Sequence, residues 1–392
     1  MPVCEYAIKY QLKMPLKTFK YRLYPTPAQE QQLGLYLDGA RHWYNMCVAE
    51  RKYAYELEGR RVKLYEQLRL VKCYKAAIRQ LSGLHSHVFQ VATTDCDKAF
   101  RAFFRRVEAG ERPGYPRFKG SQRFGSFGLK QYGNGFKVDG HRLKVSGVGR
   151  IAVRWHRPLE GAIKTVRLVR RAGRWYACFA CEVAEAEPLP ASHRVVGIDV
   201  GICALLTTSD GEKVENPSYY RAAQRRLRRT QRKLARARRG SHRRRCCLRA
   251  VQRQQEHVAN QRRDFLHKLS THLIRSYDGL ALEDLRVHNM VKNHHLSKSI
   301  LDSGWSAFGQ YLAYKAANAG RQVALVDPAY TSRTCSCCGA VFQDFDLATR
   351  WVTCACGLSL DRDHNAAINI LRRAGWDTPV QLNVEERVSC VL

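Results

Sequence analysis

Hydrophobic and polar residues alternate along residues 18–24, TFKYRLY, which predicts a half-buried β-strand. A helix is predicted to begin directly afterwards. Thr26 can cap it, Pro27 suits its first position, and Gln29 can complete a capping box. Apolar residues then recur at helical spacing to about residue 108, with breaks. We therefore expect a strand followed by a helical module.

The period returns to two between residues 124 and 183, which predicts a run of strands. Two hairpins are expected there, one turning at Asp139-Gly140 and one near Gly173. The strand at residues 18–24 has no neighbouring strand in sequence, and an isolated strand is not stable. We therefore expect it to join this later sheet, so that the helical module is inserted into a discontinuous β domain.

A second pattern begins after the proline- and glutamate-rich residues 184–193, which are predicted to be a linker. The predicted order over the following residues is three strands, a helical pair, a strand, a helix, a strand, a cysteine-rich insert and a final helix. Residues 287–297 are predicted as a loop and residues 300–317 as one amphipathic helix. This order is typical of an RNase H-like nuclease fold.

Acidic residues occupy three separate positions in that order. Asp199 lies within the first strand, Glu283 ends a later strand, and Asp361 and Asp363 open the last helix. Carboxylates that meet in a fold can hold two divalent cations for phosphodiester hydrolysis, and Mg²⁺ prefers such oxygen ligands. Other interpretations stay open at this point. Asp199 could be a turn residue, Glu283 could be a surface acid that leaves Asp284 as ligand, and either of the last two aspartates could merely cap the helix.

Four cysteines have the spacing of a metal site. Cys335 and Cys338 form a C-x-x-C-G knuckle, and Cys354 and Cys356 form a tighter C-x-C-G knuckle. Four thiolates suit tetrahedral Zn²⁺ of the structural type, in which no coordination position is left for chemistry. Cys337 is a fifth thiol, which we interpret as a bystander that could compete as ligand.

The remaining cysteines do not show such spacing, apart from Cys178 and Cys181. These two lie three residues apart in a predicted strand, so they should face opposite sides of the sheet and not share a metal. The other cysteines are scattered and many lie in apolar runs, which favours buried reduced thiols over a disulfide scaffold. We find neither a signal-peptide pattern nor a run of 18 apolar residues.

The chain is strongly basic, with 67 Lys and Arg against 34 Asp and Glu, a formal net charge of +33. Residues 221–250 alone contain 14 Lys and Arg and no acid. Like charges destabilise a helix unless an anion compensates them, so this stretch predicts contact with a nucleic-acid backbone. The candidate contacts are Arg225, Arg226, Arg229, Arg232, Lys233, Arg236, Arg244 and Arg262.

Taken together, these motifs resemble the TnpB family of transposon-associated RNA-guided DNA endonucleases, which are relatives of the compact type V CRISPR effectors. The resemblance extends from about residue 18 to residue 371. The segments that carry it are Thr18–Pro25 (TFKYRLYP), Gly197–Gly201 (GIDVG), Arg262–Ser270 (RRDFLHKLS), Leu282–Leu285 (LEDL), Thr331–Gly339 (TSRTCSCCG) and Asp361–Ala367 (DRDHNAA). The C-x-C knuckle, Cys337 and the residues before Thr18 depart from the family pattern.

The resemblance implies a multidomain α+β protein with a β-barrel-like wedge domain, an inserted helical recognition module, and an RNase H-like (RuvC) nuclease domain with a zinc-knuckle insert. The implied boundaries are an N-terminal extension at 1–17, a wedge at 18–26 and 112–183, a recognition module at 27–111, a linker at 184–193, a RuvC domain at 194–332 and 359–375, a zinc insert at 333–358 and a tail at 376–392. In the family motif D-R-D-x-N-A the second aspartate is catalytic, which selects Asp363 over Asp361.

The resemblance also implies a function. A protein of this family binds a guide RNA from the transposon end, recognises a short motif beside its double-stranded DNA target, and cuts at one RuvC site with Mg²⁺ or Mn²⁺. Gln90, Tyr132 and Asn134 are candidates for reading that motif, although they could simply be polar surface residues. The expected location is the cytoplasm of a bacterium or archaeon, on the nucleoid when bound to DNA, with no membrane partner.

Three alternatives are weighed against this interpretation. A non-cleaving RNA-guided repressor is disfavoured because all three acids are present. A transposase acting by strand transfer could use the same acids, but no module for binding transposon ends is evident. A CRISPR-recruited type V effector would differ only in where its guide is encoded, which the protein sequence does not record.

Overall fold

The computed structural model describes residues 15–343, 346 and 349–376. Most of the predicted N-terminal extension at 1–17 and of the tail at 376–392 lies outside these residues. The chain divides into two compact units, one ending at residue 185 and one beginning at residue 186. Within the described residues, no helix combines the length and the apolar character that crossing a membrane requires.

The first unit begins with strand β1 and continues with four helices. Their bounds are β1 Leu16–Tyr24, α1 Pro27–Glu58, α2 Leu64–Ala77, α3 Arg79–Ser82 and α4 Ser86–Glu108. The predicted helix start is confirmed. The Thr26 hydroxyl accepts from the Gln29 N–H at 3.3 Å, the Gln29 side chain accepts from the Thr26 N–H at 3.0 Å, and Pro27 stands at the first turn.

Seven further strands follow in the first unit: β2 Ser126–Leu129, β3 Gln131–Tyr132, β4 Gly135–Asp139, β5 Arg142–Val145, β6 Gly149–Arg154, β7 Ala162–Arg171 and β8 Arg174–Glu182. They form one sheet with β1 in the order β2-β7-β8-β1-β6-β5-β4-β3. The prediction that the first strand joins this later sheet is confirmed, because β1 pairs antiparallel with both β6 and β8. The sheet is also curled, because β3, its last strand, lies against β7 near the opposite edge.

The two predicted hairpins are present, with one correction. β4 and β5 pair Asp139 with Arg142, so the turn is formed by Gly140 and His141 and not by Asp139-Gly140. Gly140 has a φ of 55°, a left-handed conformation that glycine adopts without strain. Along β8, Cys181 is buried while Cys178 lies on the other, half-buried face, as the strand period predicts.

The second unit contains a five-stranded mixed sheet. Its strands are β9 Val195–Val200, β10 Ala204–Thr208, β11 Lys213–Glu215, β12 Gly279–Glu283 and β13 Gln322–Val326, in the order β11-β10-β9-β12-β13. β9, β10 and β11 form an antiparallel meander, whereas β12 is parallel to both β9 and β13. β9 is therefore the central strand. The predicted order of elements is confirmed in this unit.

Five helices of the second unit are α5 Tyr219–Arg236, α6 His242–Ser276, α7 Val287–Met290, α8 Ser297–Ser303 and α9 Trp305–Ala319. Strands β14 Trp351–Thr353 and β15 Ser359–Asp361 then form a two-stranded hairpin, and helix α10 Arg362–Arg373 follows it. α5 and α6 form the predicted helical pair, joined near Gly240. The apolar faces of α6 and α9 pack on the sheet in one buried cluster.

The segment between β12 and β13 differs from the prediction in two places. Residues 287–290 form a short helix instead of a loop. The single helix predicted over residues 300–317 is two helices, because Gly304 has a φ of 73° and ends the first of them. A side chain at Gly304 would also approach Arg262 and Leu266 to 3.1 Å, so the sharp break lets this segment pack closely against α6.

Candidate active site and metal centre

Gly197 brings the last helix close to the central strand. A Cβ atom at Gly197 would lie only 2.0 Å from the Ala367 carbonyl oxygen of α10, so no larger residue fits there. Asp199 lies two residues further along β9 on the same face, and Asp363 lies one helical turn before Ala367. Two strand residues and one helical turn each span about 6 Å, so this contact brings Asp363 beside Asp199.

The strand register brings Glu283 to the same end of the sheet. β12 is parallel to β9 with Leu282 opposite Ile198, so Glu283 and Asp199 follow at equivalent positions of neighbouring strands. Asp199 is half-buried. Two causes raise its pKa to about 8: burial is the larger, and the negative charges of Glu283 and Asp363 are the smaller. The carboxylates of three separate elements therefore lie close enough that Glu283 and Asp363 influence the pKa of Asp199.

Glu283 has a dedicated hydrogen-bond donor. Burial raises the pKa of its carboxyl, and the hydrogen bond from the Thr331 hydroxyl and the charge of Arg373 oppose that rise. Thr331 is itself buried, with 3% of its surface exposed. Sequence reasoning did not single out Thr331, although it opens the TSRTC segment that precedes the first cysteine.

Asp361 and Asp363 lie two residues apart and make different contacts. Asp361 is the N-cap of α10, where one carboxylate oxygen accepts from the backbone N–H groups of Asp363 at 3.0 Å and His364 at 3.2 Å. It also forms an ion pair with Lys213 at 2.7 Å. Burial opposes these contacts, and together they lower the pKa of Asp361. Asp363 instead accepts from the Arg362 guanidinium at 2.9 Å.

The four predicted zinc ligands form a tight cluster. Cys335 and Cys356 bring their Sγ atoms to 3.7 Å, Cys338 and Cys354 bring theirs to 3.5 Å, and all four lie within 4.8 Å of one another. Among the described residues no other group of three or more such side chains is as close, so the three acids are less tightly gathered than the thiols. Cys337 is not part of the cluster.

Backbone N–H groups surround these thiols. The Cys337 N–H donates to the Cys335 sulfur at 3.4 Å, and a hydrogen bond from the Leu358 backbone lowers the pKa of Cys356 to about 6. Donors of this kind stabilise the thiolate form that binds metal. The hairpin of β14 and β15 carries Cys354 and Cys356 in its turn and runs directly into α10, so the cysteine cluster and Asp363 share one stretch of chain.

The predicted backbone-contact residues fall into two groups. Six of them are exposed on α5: Arg225, Arg226, Arg229, Arg232, Lys233 and Arg236. The other two are half-buried and bound within the protein. Arg244 donates to the Leu234 and Ala237 carbonyls at 2.8 and 3.1 Å, which satisfies the C-terminus of α5, and Arg262 forms an ion pair with the buried Asp302.

The three candidates for motif reading lie in the first unit. Tyr132 is 41% exposed on β3 and packs edge-on against Phe136. Asn134 is exposed and lies 3.1 Å from the His85 ring, whereas Gln90 is half-buried on α4 beside α2. All three belong to one unit, and no contact between Gln90 and the other two is recorded among the described residues.

Three family models match the chain. A model described as "Probable transposase" matches residues 178–294, and a Cas12f1-like TNB domain matches residues 305–370. A model described as "Helix-turn-helix domain" matches residues 14–60. Over residues 15–60 the structure contains strand β1 and the single long helix α1 instead of two helices joined by a turn.

Curated relatives cover almost the whole chain. A protein of Streptomyces pristinaespiralis named "Putative RNA-guided DNA endonuclease" is 36% identical over 362 residues, which are 91% of this chain and 88% of that protein. A protein of Escherichia coli K12 with the same name and the suffix InsQ is 30% identical over 376 residues, 91% of this chain and 92% of that protein. The solved structure of a mini-RNA-guided endonuclease, CRISPR-Cas_phi3, matches 94% of each chain with a TM-score of 0.49 and 9% identity.

Proposed function

Because the chain belongs to the TnpB family of RNA-guided DNA endonucleases, we propose that it binds a guide RNA and cuts double-stranded DNA that pairs with this RNA. Its relatives from Streptomyces and E. coli carry that activity in their names, and they match this chain over nearly their full length. In this mode the guide supplies sequence specificity, and the protein recognises the heteroduplex by shape and a short adjacent motif.

The convergence of Asp199, Glu283 and Asp363 is the observation that carries the proposal. Their three elements are distant in sequence, and Gly197 has no side chain at the one point where α10 crosses β9. The sheet around them consists of an antiparallel meander, β11-β10-β9, with the two parallel strands β12 and β13 added beside β9. This is the order of an RNase H-like nuclease. We therefore assign the second unit, with boundaries at residues 194–332 and 359–375, to a RuvC nuclease domain.

The carboxylate group fits divalent cations. Asp199 lies next to two other acids. Burial, and then repulsion by the negative charges of Glu283 and Asp363, raise its pKa to about 8. A cation with oxygen preference, such as Mg²⁺ or Mn²⁺, would relieve that repulsion, and Asp199, Glu283 and Asp363 would hold it. When bound, a pair of such ions activates water and stabilises the leaving oxygen in phosphodiester hydrolysis.

The contacts of the surrounding residues support distinct roles for the two N-terminal aspartates of α10. Asp361 uses its carboxylate to cap the helix and to bind Lys213, so it orients the helix start. Asp363 bonds only with the neighbouring Arg362 among the hydrogen bonds recorded for its carboxylate. Asp363 is therefore the third cation ligand in this proposal, as the family motif implies.

The cysteine cluster fits a structural zinc ion. Zinc–sulfur bonds of about 2.3 Å arranged as a tetrahedron separate the sulfurs by about 3.8 Å. The pairs Cys335–Cys356 and Cys338–Cys354, at 3.7 and 3.5 Å, are close to that separation without further movement. Four protein thiolates leave no position for water, so this ion would stabilise the fold of the insert at residues 333–358 and take no part in hydrolysis.

The first unit and the basic helices complete the proposal. We assign the curled sheet of the first unit, at residues 18–26 and 112–183, to a wedge domain that includes the candidates Tyr132 and Asn134. The helices at residues 27–111 are assigned to a recognition module that includes the candidate Gln90. The six predicted contact residues that are exposed on α5 would bind nucleic-acid phosphates. Arg244 and Arg262 have partners within the protein, so we expect them to support that surface indirectly.

The guide RNA is proposed to come from the transposon end, and the protein is proposed to act in the cytoplasm of a bacterium or archaeon, on the nucleoid when it is bound to DNA. Sequencing of RNA that copurifies with the protein tests the first point. RNA derived from a transposon end would support it, and CRISPR-repeat RNA would support a type V effector instead. Random cellular RNA would contradict guide binding.

A cutting assay separates the nuclease from its alternatives. The purified protein, loaded with the guide so identified, is mixed with a plasmid that carries the matching target, with and without Mg²⁺. We expect a linear product that requires both the guide and Mg²⁺. Tight binding without cutting would favour the repressor, and DNA joined to a new site would favour the transposase.

A further inference from the structure

One face of α10 forms hydrogen bonds with the chain segment that leads into the cysteine cluster. Asn365, Asn369 and Arg373 are spaced by four residues, so they lie on the same side of the helix. All three bind backbone groups of residues 327–336, which we name the strap. The strap begins where β13 ends and finishes inside the first cysteine knuckle.

The asparagine contacts are complete and buried. Asn365 donates to the Thr334 carbonyl at 2.8 Å and accepts from the Ser336 N–H at 2.8 Å, so both halves of its amide are used. Asn369 donates to the Thr331 carbonyl at 2.9 Å and to the Thr334 carbonyl at 2.6 Å. Asn365 is fully buried and Asn369 is 7% exposed. Loss of the Asn365 amide would leave the buried Ser336 N–H without this acceptor, and loss of the Asn369 amide would leave the Thr331 carbonyl without this donor.

Arg373 fixes the start of the strap. Its guanidinium donates to the Asp327 carbonyl at 2.8 Å and to the Ala329 carbonyl at 2.5 Å. The strap is therefore tied to α10 at its beginning, middle and end. Because Asp363 lies on the same helix, the hydrogen bonds that hold the strap also fix its position relative to this acid.

Two side chains connect the strap to the two metal centres. Thr331 donates its hydroxyl hydrogen to the Glu283 carboxylate, and Cys335 contributes a sulfur to the four-thiol cluster. Thr331 has one hydroxyl hydrogen, and the Pro328 carbonyl at 3.1 Å is its neutral alternative acceptor. The bond to the charged carboxylate is the stronger of the two, so it occupies one oxygen of Glu283 and limits rotation of the carboxylate.

We propose that the strap is a mechanical link by which the cysteine cluster and α10 hold Glu283 in position for cation binding, with Thr331 as the positioning residue. The inference rests on the proposed nuclease function, because it concerns how the acids of that site are oriented. Donors that orient a metal-binding carboxylate typically change metal affinity by about 10- to 100-fold when they are removed. The TSRTC segment and the Asn-x-x-x-Asn spacing of α10 therefore both serve to position Glu283 in this proposal.

The test measures cation binding directly. Mn²⁺ is titrated into the full-length, zinc-loaded protein without nucleic acid, and free Mn²⁺ is followed by electron paramagnetic resonance. Thr331→Val removes the hydroxyl at similar volume and is expected to weaken Mn²⁺ binding by about 10- to 100-fold. Thr331→Ser keeps a hydroxyl and is expected to bind Mn²⁺ within a few-fold of the wild type. Equal Mn²⁺ affinity for Thr331→Val and the wild type would overturn the proposal.

A second variant protects the test against misfolding. Asn369→Ala leaves Thr331 and the four cysteines intact but releases the middle of the strap, and it should also weaken Mn²⁺ binding while one zinc per chain is retained. Arg372→Ala is the matched control, because Arg372 is an exposed neighbour on the same helix. Wild-type Mn²⁺ affinity in Asn369→Ala would contradict the link through the strap even if Thr331→Val did not fold.

An Asp199→Ala sample distinguishes this inference from the proposed function. If Asp199→Ala loses Mn²⁺ binding while Thr331→Val and Asn369→Ala keep it, the nuclease site stands and the strap is wrong. If Asp199→Ala also binds Mn²⁺ as the wild type does, the carboxylates are not the cation site, and both proposals fail.

Discussion

The cysteine cluster and the carboxylate cluster are built in opposite ways. The four thiols come from two knuckles within residues 335–356, and their sulfurs already lie within 4.8 Å of one another. The three acids come from two neighbouring strands and a helix between residues 199 and 363, and they are less tightly gathered. The first cluster is made by local turns, whereas the second exists only when the whole sheet and α10 are assembled.

The difference extends to electrostatics. A backbone hydrogen bond lowers the pKa of Cys356 to about 6, whereas burial raises the pKa of Cys335 to about 12, so thiols of the same cluster differ in how readily they ionise. In the carboxylate cluster, burial and then the negative charges of Glu283 and Asp363 raise the pKa of Asp199 to about 8. Four thiols that surround one point suit a structural ion, while carboxylates assembled from separate elements suit catalytic divalent cations.

The largest expected effect separates the two aspartates of α10. Asp363→Ala should reduce guide-dependent cutting by about a thousandfold or more, because a cation ligand is worth several kcal/mol in the transition state. Asp361→Ala should lose a helix cap worth about 1 kcal/mol of folding stability and retain cutting within roughly tenfold. Single-turnover rates on a plasmid target measure both. Similar rates for the two variants would remove the distinction between ligand and cap.

A pH effect on stability is expected from the carboxylate cluster. The pKa of Asp199 is about 8 in the folded chain and 3.8 is its ordinary value, so between these the folded protein binds more protons than the unfolded chain. The stabilisation associated with protonated Asp199 is complete below pH 4 and is lost as the pH rises to about 8, on the order of a few kcal/mol.

Thermal unfolding without divalent cations measures this pH effect. The midpoint of the wild type should fall more between pH 6 and pH 8.5 than that of Asp199→Asn, and Mg²⁺ should reduce the difference. Parallel pH profiles for the two proteins would mean that Asp199 ionises without opposition from its neighbours.

A smaller effect on cutting is expected from the thiols. Cys338→Ser should lose zinc and lower the unfolding midpoint by several degrees, because metal binding to the folded knuckle stabilises the fold. Cutting should fall less than in Asp363→Ala, since the acids and the contacts of α10 remain. Zinc content, unfolding midpoint and cutting rate are measured on one sample. Full zinc occupancy in this variant would contradict the four-thiol assignment.

The smallest effect concerns cations outside both clusters. Arg229→Ala removes one exposed charge of α5, so it should weaken RNA binding a few-fold and reduce the slope of log affinity against log salt by about one. Arg244→Ala is the matched control, because Arg244 bonds to the end of α5 and its loss should lower stability first. An unchanged salt slope in Arg229→Ala would remove this face of α5 from the interface.

Local patterns account for most of what the sequence predicts correctly. The capping box at Thr26, the strand alternation of β1 and the two knuckles each depend on a few neighbouring residues. Gly197 was visible as part of a motif, but its closeness to Ala367 depends on how α10 crosses the sheet.

What the sequence did not predict depends on packing. The break at Gly304 and the ion pair of Arg262 with Asp302 arise between elements that are distant in sequence, and Arg244 finds its partners across the turn that joins α5 to α6. The role of Thr331 is not predictable from sequence for the same reason, because it depends on the hydrogen bond to Glu283, which is 48 residues away in the chain.

The most direct test of the account is the guide-dependent cutting of DNA by Asp199→Ala, measured together with its zinc content and its guide-RNA affinity. The account predicts one zinc per chain, guide binding equal to that of the wild type and no detectable cutting in Mg²⁺. Cutting at the wild-type rate by a zinc-loaded, guide-bound Asp199→Ala protein would contradict the assignment of the carboxylate cluster as the active site.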